Sequence, residues 1–552
     1  MITVDPKIRV LNAAPQNEET SNETTHLVAS YPSDTSLTNS PQVPEALQII
    51  NDETEVTYPH LVVQEIAWLF SSSIPLALSY ICQNSFIFIS VLSVGKLGVN
   101  ELAAASLSIM LINVVVMMPC IGMACALETF CSSAFTASPD KTRVGFHLQR
   151  GLIVVTIQLI PTVLGFVFID RVLILTGQTE EVAKLCAQFL RIWLLGSWPK
   201  VAFECLKRFV QAQGIMQPSI WIMAVVTPLH LVNTYALVWS PTFGIGFVGA
   251  PWAIVISNWV QFVGLLVYTI FGKAREAWGG FTLLECLNGI YEFYKFAIPS
   301  AAMMACSWAA FELVTFGSSA FGPVALAAQA CMFNTMCLTY QAPAAIGAAA
   351  STRIGNSLGQ GKQRRARYAA YVAIAFGYVI GIACSIVLFA NRKTWGYLFS
   401  NDVEVVELCA RLIPYFAAVQ TYDGMNGLTA GILRALGKQA LGALLAFPAF
   451  WVLAIPLGFY LAMGPANLEI AGLWLGLAAG VIVYSLAQQS YIIFSVDWRH
   501  EVKVCLDRLE RASSLNYASN CSTMAQDTSS SRCEQHQGNA PSHRPSCYGA
   551  LD

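Results

Sequence analysis

Two carboxylates stand where the sequence around them offers no water. Glu312 lies in SWAAFELVTFG and Asp423 in VQTYDGMNGLTAG, each inside a long apolar run. A charged carboxylate at the middle of a bilayer costs several kcal/mol unless it is protonated, paired or hydrated, so an acid kept there points to function. Trp308, Phe311 and Phe316 are the near neighbours of Glu312 in the chain, and desolvation among them disfavours the charged form. Asp423 sits beside Gly424 and Gly427, which let a helix bend or turn backbone carbonyls toward a cavity. Acids that gain and lose a proton in such settings suit proton-coupled or cation-coupled transport, and if the two share a site they titrate as a coupled pair. The structural alternative is a hydrogen bond between helices, worth less than ~1 kcal/mol.

Other residues carry weaker signals. Glu128 is read as a gating or structural acid near one end of its segment, and Glu204 precedes Arg208 by four residues, the spacing of an ion pair on one helix face. Arg353 is read as structural, paired across the two halves at the mouth between them, and His230 as a satisfied core histidine. Trp198, Trp308, Tyr340 and Tyr422 are candidates to line a substrate cavity and hold organic cations by cation–π contact. Pro75, Pro119, Pro299 and Pro343 interrupt helical hydrogen bonding and are candidate bending points.

The elements that must position these residues are membrane helices. Of 552 residues 55% are hydrophobic and 12% charged, about half the charge of a soluble protein. The net charge of −2 and the lack of a basic, aromatic-laced patch exclude a nucleic-acid partner. Sixteen cysteines are scattered without a CxxC pair or zinc spacing and read as apolar core thiols, so no metal or cofactor is expected. No Walker motif and no His/Asp or Cys/His constellation argues for an enzyme.

Twelve apolar stretches run at 66–94, 102–135, 145–169, 182–213, 216–239, 246–271, 287–319, 324–358, 367–390, 404–436, 440–463 and 469–496. Each is long enough for a ~30 Å hydrocarbon core, which takes about 20 residues. The even-numbered connectors hold most of the positive charge: Lys141 and Arg143, Lys207 and Arg208, Lys273 and Arg275, Lys362 to Arg367, and Arg434 and Lys438. They belong on the cytosolic side with both termini, and Arg392 and Lys393 are the main exception. Residues 1–60 and 499–552 are expected to be cytosolic tails, the first disordered and the second mostly so. The sequons at Asn22 and Asn520 are then unglycosylated.

A shift of 224 lays Ile74-Pro75 on Ile298-Pro299, Gly98 on Gly322, Leu102-Ala103-Ala104 on Leu326-Ala327-Ala328 and Pro119 on Pro343. Six helices per half make the repeats parallel, so a pseudo-two-fold axis along the membrane normal relates two bundles with a cavity between them. The expected lobes are 61–272 and 287–498, joined by a linker at 273–286. The fold class is an all-α membrane protein of twelve transmembrane helices in two six-helix bundles.

Four motifs carry a family resemblance: GMACALETFCSSAF ending segment 2, FECLKRFVQAQGIMQPS ending segment 4, PAAIGAAASTRIGNSLGQGK in segment 8, and the Asp-Gly with ILRALGKQ in segment 10. Together they resemble the multidrug and toxic compound extrusion (MATE) transporters of the eukaryotic type, over about 62–496. The resemblance implies a proton-coupled exporter of small, organic, cationic substrates working by alternating access, with protons bound by the positions that match Glu312 and Asp423. Some bacterial members use an Asp in helix 1, where this chain has Phe88-Ile89-Ser90-Val91; Ser90 does not titrate, which favours the C-terminal lobe. Ser132-Ser133 and Thr136-Ala137-Ser138 replace the relatives' Gly-Gln and Gly-Ala, a change expected to alter the packing of helix 2. A sodium-coupled member or a lipid-linked flippase of a related branch is the alternative. A monomer in the plasma or vacuolar membrane is expected, with the bilayer and the substrates as its partners. The repeat sets Glu312 opposite Phe88, and Asp423 opposite Pro199 or Lys200, so the proton site is asymmetric.

Overall fold

Each apolar run becomes a helix because, in lipid, a backbone must satisfy its own hydrogen bonds. The computed structural model describes residues 58–281, 286–287 and 289–511. The expected tails before 58 and after 511, both sequons and linker residues 282–285 lie outside the described residues.

The N-terminal half holds α1 (Tyr58–Val94), α2 (Asn100–Ala137), α3 (Arg143–Val167), α4 (Glu180–Trp193 and Ser197–Ala212, joined by a 3-10 turn), α5 (Gln217–Trp239) and α6 (Gly249–Phe271). The C-terminal half holds α7 (Ile290–Ser318), α8 (Pro323–Gly359), α9 (Gln363–Ala390), α10 (Val403–Leu436), α11 (Gln439–Met463) and α12 (Glu469–Ser490). No strand occurs among the described residues. The molecule is an all-helical membrane protein of twelve principal helices in two bundles, as the hydropathy pattern implies.

Nine described helices are long and apolar enough to cross a membrane; α4, α8 and α10 do not qualify. Those three carry buried Glu204, Lys207 and Arg208, buried Gln329 and Thr335, and buried Gln420, Asp423 and Arg434. The polarity faces inward, while large side chains such as Phe494, Phe271 and Phe316 stay 75–84% exposed on the outside. This is a protein whose apolar face meets lipid, not water.

The proline positions behave unequally. Pro75, Pro299 and Pro343 lie inside continuous helices, whereas Pro119 follows a π-helical segment, Ile112–Met117, that rewinds α2. A second irregularity at Cys125 and the 3-10 turn Leu194–Gly196 in α4 have no counterpart in α8 or α10, which run unbroken. The repeat therefore relates the lobes in topology, not in helix regularity.

Residues 498–511, at the start of the segment expected to be a mostly disordered tail, form a further helix, α13. Trp498, Val502 and Cys505 make a buried stripe at helical spacing, and Leu509 packs against core clusters of both halves. Lys438 Nζ pairs with Glu501 Oε1 at 3.0 Å, and the Arg508 guanidinium lies 4.9 Å from the centre of the Phe296 ring.

α10 is fixed at both ends. The Asp402 carboxylate accepts the Glu404 N–H at 3.0 Å, and Gly437 at φ 74° turns the chain back so that the Gly437 and Lys438 N–H groups reach the Arg434 and Leu433 carbonyls. Between these caps α10 crosses α8 on small residues: a Cβ on Gly424 would lie 2.7 Å from Pro343, and one on Gly431 would overlap the Gly347 carbonyl. Gly431→Leu is expected to lose properly folded protein, beyond the ~1–3 kcal/mol usual for overpacking, as read by thermal unfolding and size exclusion in detergent. Gly165→Ala, whose Cβ meets nothing within 4 Å, is the control that leaves both unchanged.

Candidate functional site

Connector contacts define the two ends of the molecule. Lys141 in the 2–3 connector pairs with Glu276 in the 6–7 connector at 2.6 Å, and Gln149 Nε2 donates to the Gly280 carbonyl at 2.8 Å. At the opposite end Asn100 donates to Glu181 at 2.9 Å. The even, basic connectors thus share one end.

The lobes meet at that basic end. Glu65 of α1, fully buried, accepts from Arg353 Nε at 2.7 Å and Nη2 at 2.8 Å, and from Arg365 Nε at 2.9 Å. The expected cross-lobe pairing of Arg353 has its partner here, an acid the sequence reading passed over. Glu128 of α2 accepts from Arg434 Nε at 2.8 Å. The Thr129 hydroxyl donates to the Arg434 carbonyl and accepts from Gln439, both at 2.6 Å. Thr136 donates to the Asn356 carbonyl at 2.8 Å. Ser132, Ser133 and Thr136 press against Gly355 and Gly359, where any Cβ would overlap them. The substitutions noted in segment 2 are thus matched by two glycines of α8.

Between the lobes, with Glu128 and Arg434 of this seam in its lining, lies a cavity of ≈ 450 Å³, the size of a drug-like ligand site. Its N-terminal wall includes Tyr80, Gln83 and Phe88 of α1, Met117 and Ile121 of α2, and Lys200, Glu204, Lys207 and Arg208 of α4. The facing wall includes Met304 and Trp308 of α7, Phe333, Cys337, Tyr340 and Gln341 of α8, and Gly427 and Arg434 of α10. Trp308 and Tyr340 meet edge to face with centroids 6.3 Å apart.

Two of the four aromatic candidates, Trp308 and Tyr340, therefore line the cavity. Trp198 does not: it is 38% exposed, donates from Nε1 to Thr156 Oγ1 at 3.0 Å, and packs edge-on against Phe262. Tyr422 packs beside the C-terminal core and is also outside the lining. His230 is fully buried, with Nδ1 2.9 Å from Ser257 Oγ and Nε2 3.2 Å from the Phe86 carbonyl, so both ring nitrogens have partners.

Glu312 and Asp423 are half-buried and buried respectively, and neither lines the cavity. No described hydrogen bond or ion pair joins them. Asp423 Oδ2 is buried without a donor, as are Gln420 Oε1 and Asn426 Oδ1 three residues to either side. That spacing sets three unpaired acceptor oxygens along one side of α10.

Sequence reasoning paired Glu204 with Arg208 and missed the rest of the network. Glu204 holds Arg208 at 2.9 Å, Lys207 at 2.7 Å and Lys200 at 3.2 Å. Arg208 Nε also lies 3.4 Å from Glu128, linking this cluster to the Glu128–Arg434 pair of the seam. The 3- and 4-residue spacings were visible in the sequence; the links to α2 and α10 were not.

A model of the family described as MatE matches residues 75–236 and again 299–460, the second match lying 224 residues beyond the first at both ends. The chain belongs to the MATE transporter family. An uncharacterized transporter of Schizosaccharomyces pombe is 33% identical over 449 residues, 81% of this chain and 83% of that one. The mouse protein named multidrug and toxin extrusion protein 2 is 30% identical over 434 residues, 78% of this chain and 74% of its own length. A crystal structure of a eukaryotic MATE transporter superposes with TM-score 0.76 at 27% identity, covering 81% of this chain and 99% of that one. The MATE repeat unit coincides in offset with the one read from the prolines and glycines, and this MATE protein is an integral, multi-pass transporter of small organic molecules.

Proposed function

We propose that this MATE protein is a secondary antiporter that exports small amphiphilic organic molecules in exchange for protons, with Asp423 and Glu312 as the proton-binding groups. The observation that carries the reading is the orphaned Asp423 Oδ2 beside Gln420 Oε1 and Asn426 Oδ1. A buried carboxylate among acceptors is costly. Protonation removes the charge and supplies the missing donor. The same oxygens are hard ligands that suit sodium, so a sodium gradient is the second reading.

The closed basic end supports alternating access. With that end on the cytosolic side, together with both termini, the cavity faces the exterior or the lumen of a vacuole. Proton binding then favours substrate release there. Proton loss after the seam opens restores the substrate-binding form. Coupling is reciprocal: substrate and proton each weaken the other's binding.

Glu312→Gln is expected to remain folded and inserted while losing pH-driven uptake into proteoliposomes. Uptake under imposed proton and sodium gradients, compared side by side, separates the two ions. Wild-type-like, proton-driven uptake by the variant would remove Glu312 from the mechanism.

A further inference from the structure

The charges that line the cavity do not balance. Lys200, Lys207, Arg208 and Arg434 face two carboxylates, Glu128 and Glu204, a formal excess of two positive charges. Both carboxylates are already engaged: Glu204 with Lys200, Lys207 and Arg208, and Glu128 with Arg208 and Arg434. Asp423 and Glu312 stand outside the lining and leave it no free acid. A cationic ligand would therefore find no carboxylate to itself, and four cations would repel it.

The placement of these charges is lopsided. Three of the four cations sit on α4, in the N-terminal lobe, and Lys200 is one of the two residues that the internal repeat sets opposite Asp423. The two lobes thus carry opposite charge at corresponding places. The other wall supplies flat apolar surface: Trp308, Tyr340 and Phe333. Lys207 is already 4.8 Å from the Tyr80 ring centre and 2.7 Å from Glu204. Lys200 has its weaker contacts, 3.2 Å to both Gln83 Oε1 and Glu204 Oε1, and its side chain is 18% exposed. It is the cation freest to reach a ligand.

We infer that the transported molecules carry an anionic group, a carboxylate, sulfonate or phosphate on an aromatic or otherwise apolar body, received by Lys200 and Lys207 while the body stacks against Trp308 and Tyr340. This rests on the reading of the cavity as the transport site. It reverses the cationic substrate class expected from the family resemblance. The anion displaces Glu204 from part of its cation shell, so a single carboxylate competes with the substrate for the same lysines. Uncompensated buried charge is costly, and an anionic ligand relieves it.

The test is equilibrium binding to the purified full chain in detergent, with no gradient, using two xanthene dyes of similar size: fluorescein, an anion at neutral pH, and rhodamine 123, a cation. Fluorescein is expected to bind the more tightly. Lys200→Gln should weaken fluorescein about tenfold, while Glu204→Gln, which removes the competitor, should tighten it by a similar factor. Opposite shifts from neighbouring positions are not what general misfolding produces, and Lys200→Arg should bind like the parent. Tighter binding of rhodamine 123, still weakened by Trp308→Ala, would overturn the anion assignment and leave the cavity reading intact. Fluorescein affinity indifferent to Lys200→Gln and Glu204→Gln would overturn the assignment as well. Binding of neither dye would overturn both.

Discussion

Asp423→Asn is expected to yield a folded transporter whose affinity for substrate no longer changes with pH and which builds no substrate gradient from a pH difference. The amide keeps the size of the carboxyl, fills the buried position with both a donor and an acceptor, and imitates the protonated form. In the parent, acidification should weaken substrate binding, because proton binding favours the releasing form of the transporter and does not act through the substrate's own charge; couplings of this kind span about 5–150-fold. The variant should show the weaker, acid-like affinity at every pH. One pH unit acting through one proton stores ~1.4 kcal/mol, about a tenfold accumulation. The parent should approach that ratio or exceed it with two protons, and the variant should equilibrate at one. Binding titrations against pH and uptake into acid-loaded vesicles read the two effects separately. A steep pH dependence surviving in the variant would take Asp423 out of the proton site and leave Glu312 to carry the coupling.

Glu65→Gln is expected to open the basic end. In the closed form Glu65 is fully buried and is the counter-charge of both Arg353 and Arg365. Removing one member of a buried ion pair costs about 3–5 kcal/mol, because the surviving charge is left without a partner. When the seam parts, the two arginines reach water and that penalty vanishes. The substitution therefore acts on one of two states and should shift their ratio a hundredfold or more, since each ~1.4 kcal/mol is a factor of ten. Spin labels at exposed Asp140 and Arg367, one in each lobe, should report a longer distance in the variant without substrate. An unchanged distance distribution would mean that the serine–glycine contacts and the Glu128–Arg434 pair hold the seam alone.

The helices were legible because bilayer thickness leaves few choices. Apolar length sets α1 to α12 to within several residues, and register-true prolines at 75, 119, 299 and 343 mark the duplication. What stayed hidden depends on contacts between distant segments. Glu65 reads as an ordinary acid at the start of a membrane helix, and only the packing of α1 against α8 and α9 places it between two arginines. Trp198 and Trp308 look alike in sequence, yet the helix face each occupies puts one on the periphery and the other in the cavity. α13 was overlooked because its buried stripe, Trp498, Val502 and Cys505, is short and interleaved with charge. Such a pattern has meaning only when a surface waits to receive it.

The inward polarity of α4, α8 and α10 also bears on how the chain is made. A Lys, Arg or Glu at the centre of a lone helix costs about 2.5–3.5 kcal/mol to pass from the insertion channel into lipid. The second half of α4 alone carries Lys200, Glu204, Lys207 and Arg208. Such a segment does not partition by itself. It is expected to enter beside helices already emerged that it packs against, α3 for α4, α1 and α2 for α8, and α8 and α9 for α10, its charges neutralised within the helix or shielded by the neighbour. A lesion in an apolar helix is then expected to reach a later polar one before the transporter has ever carried a molecule.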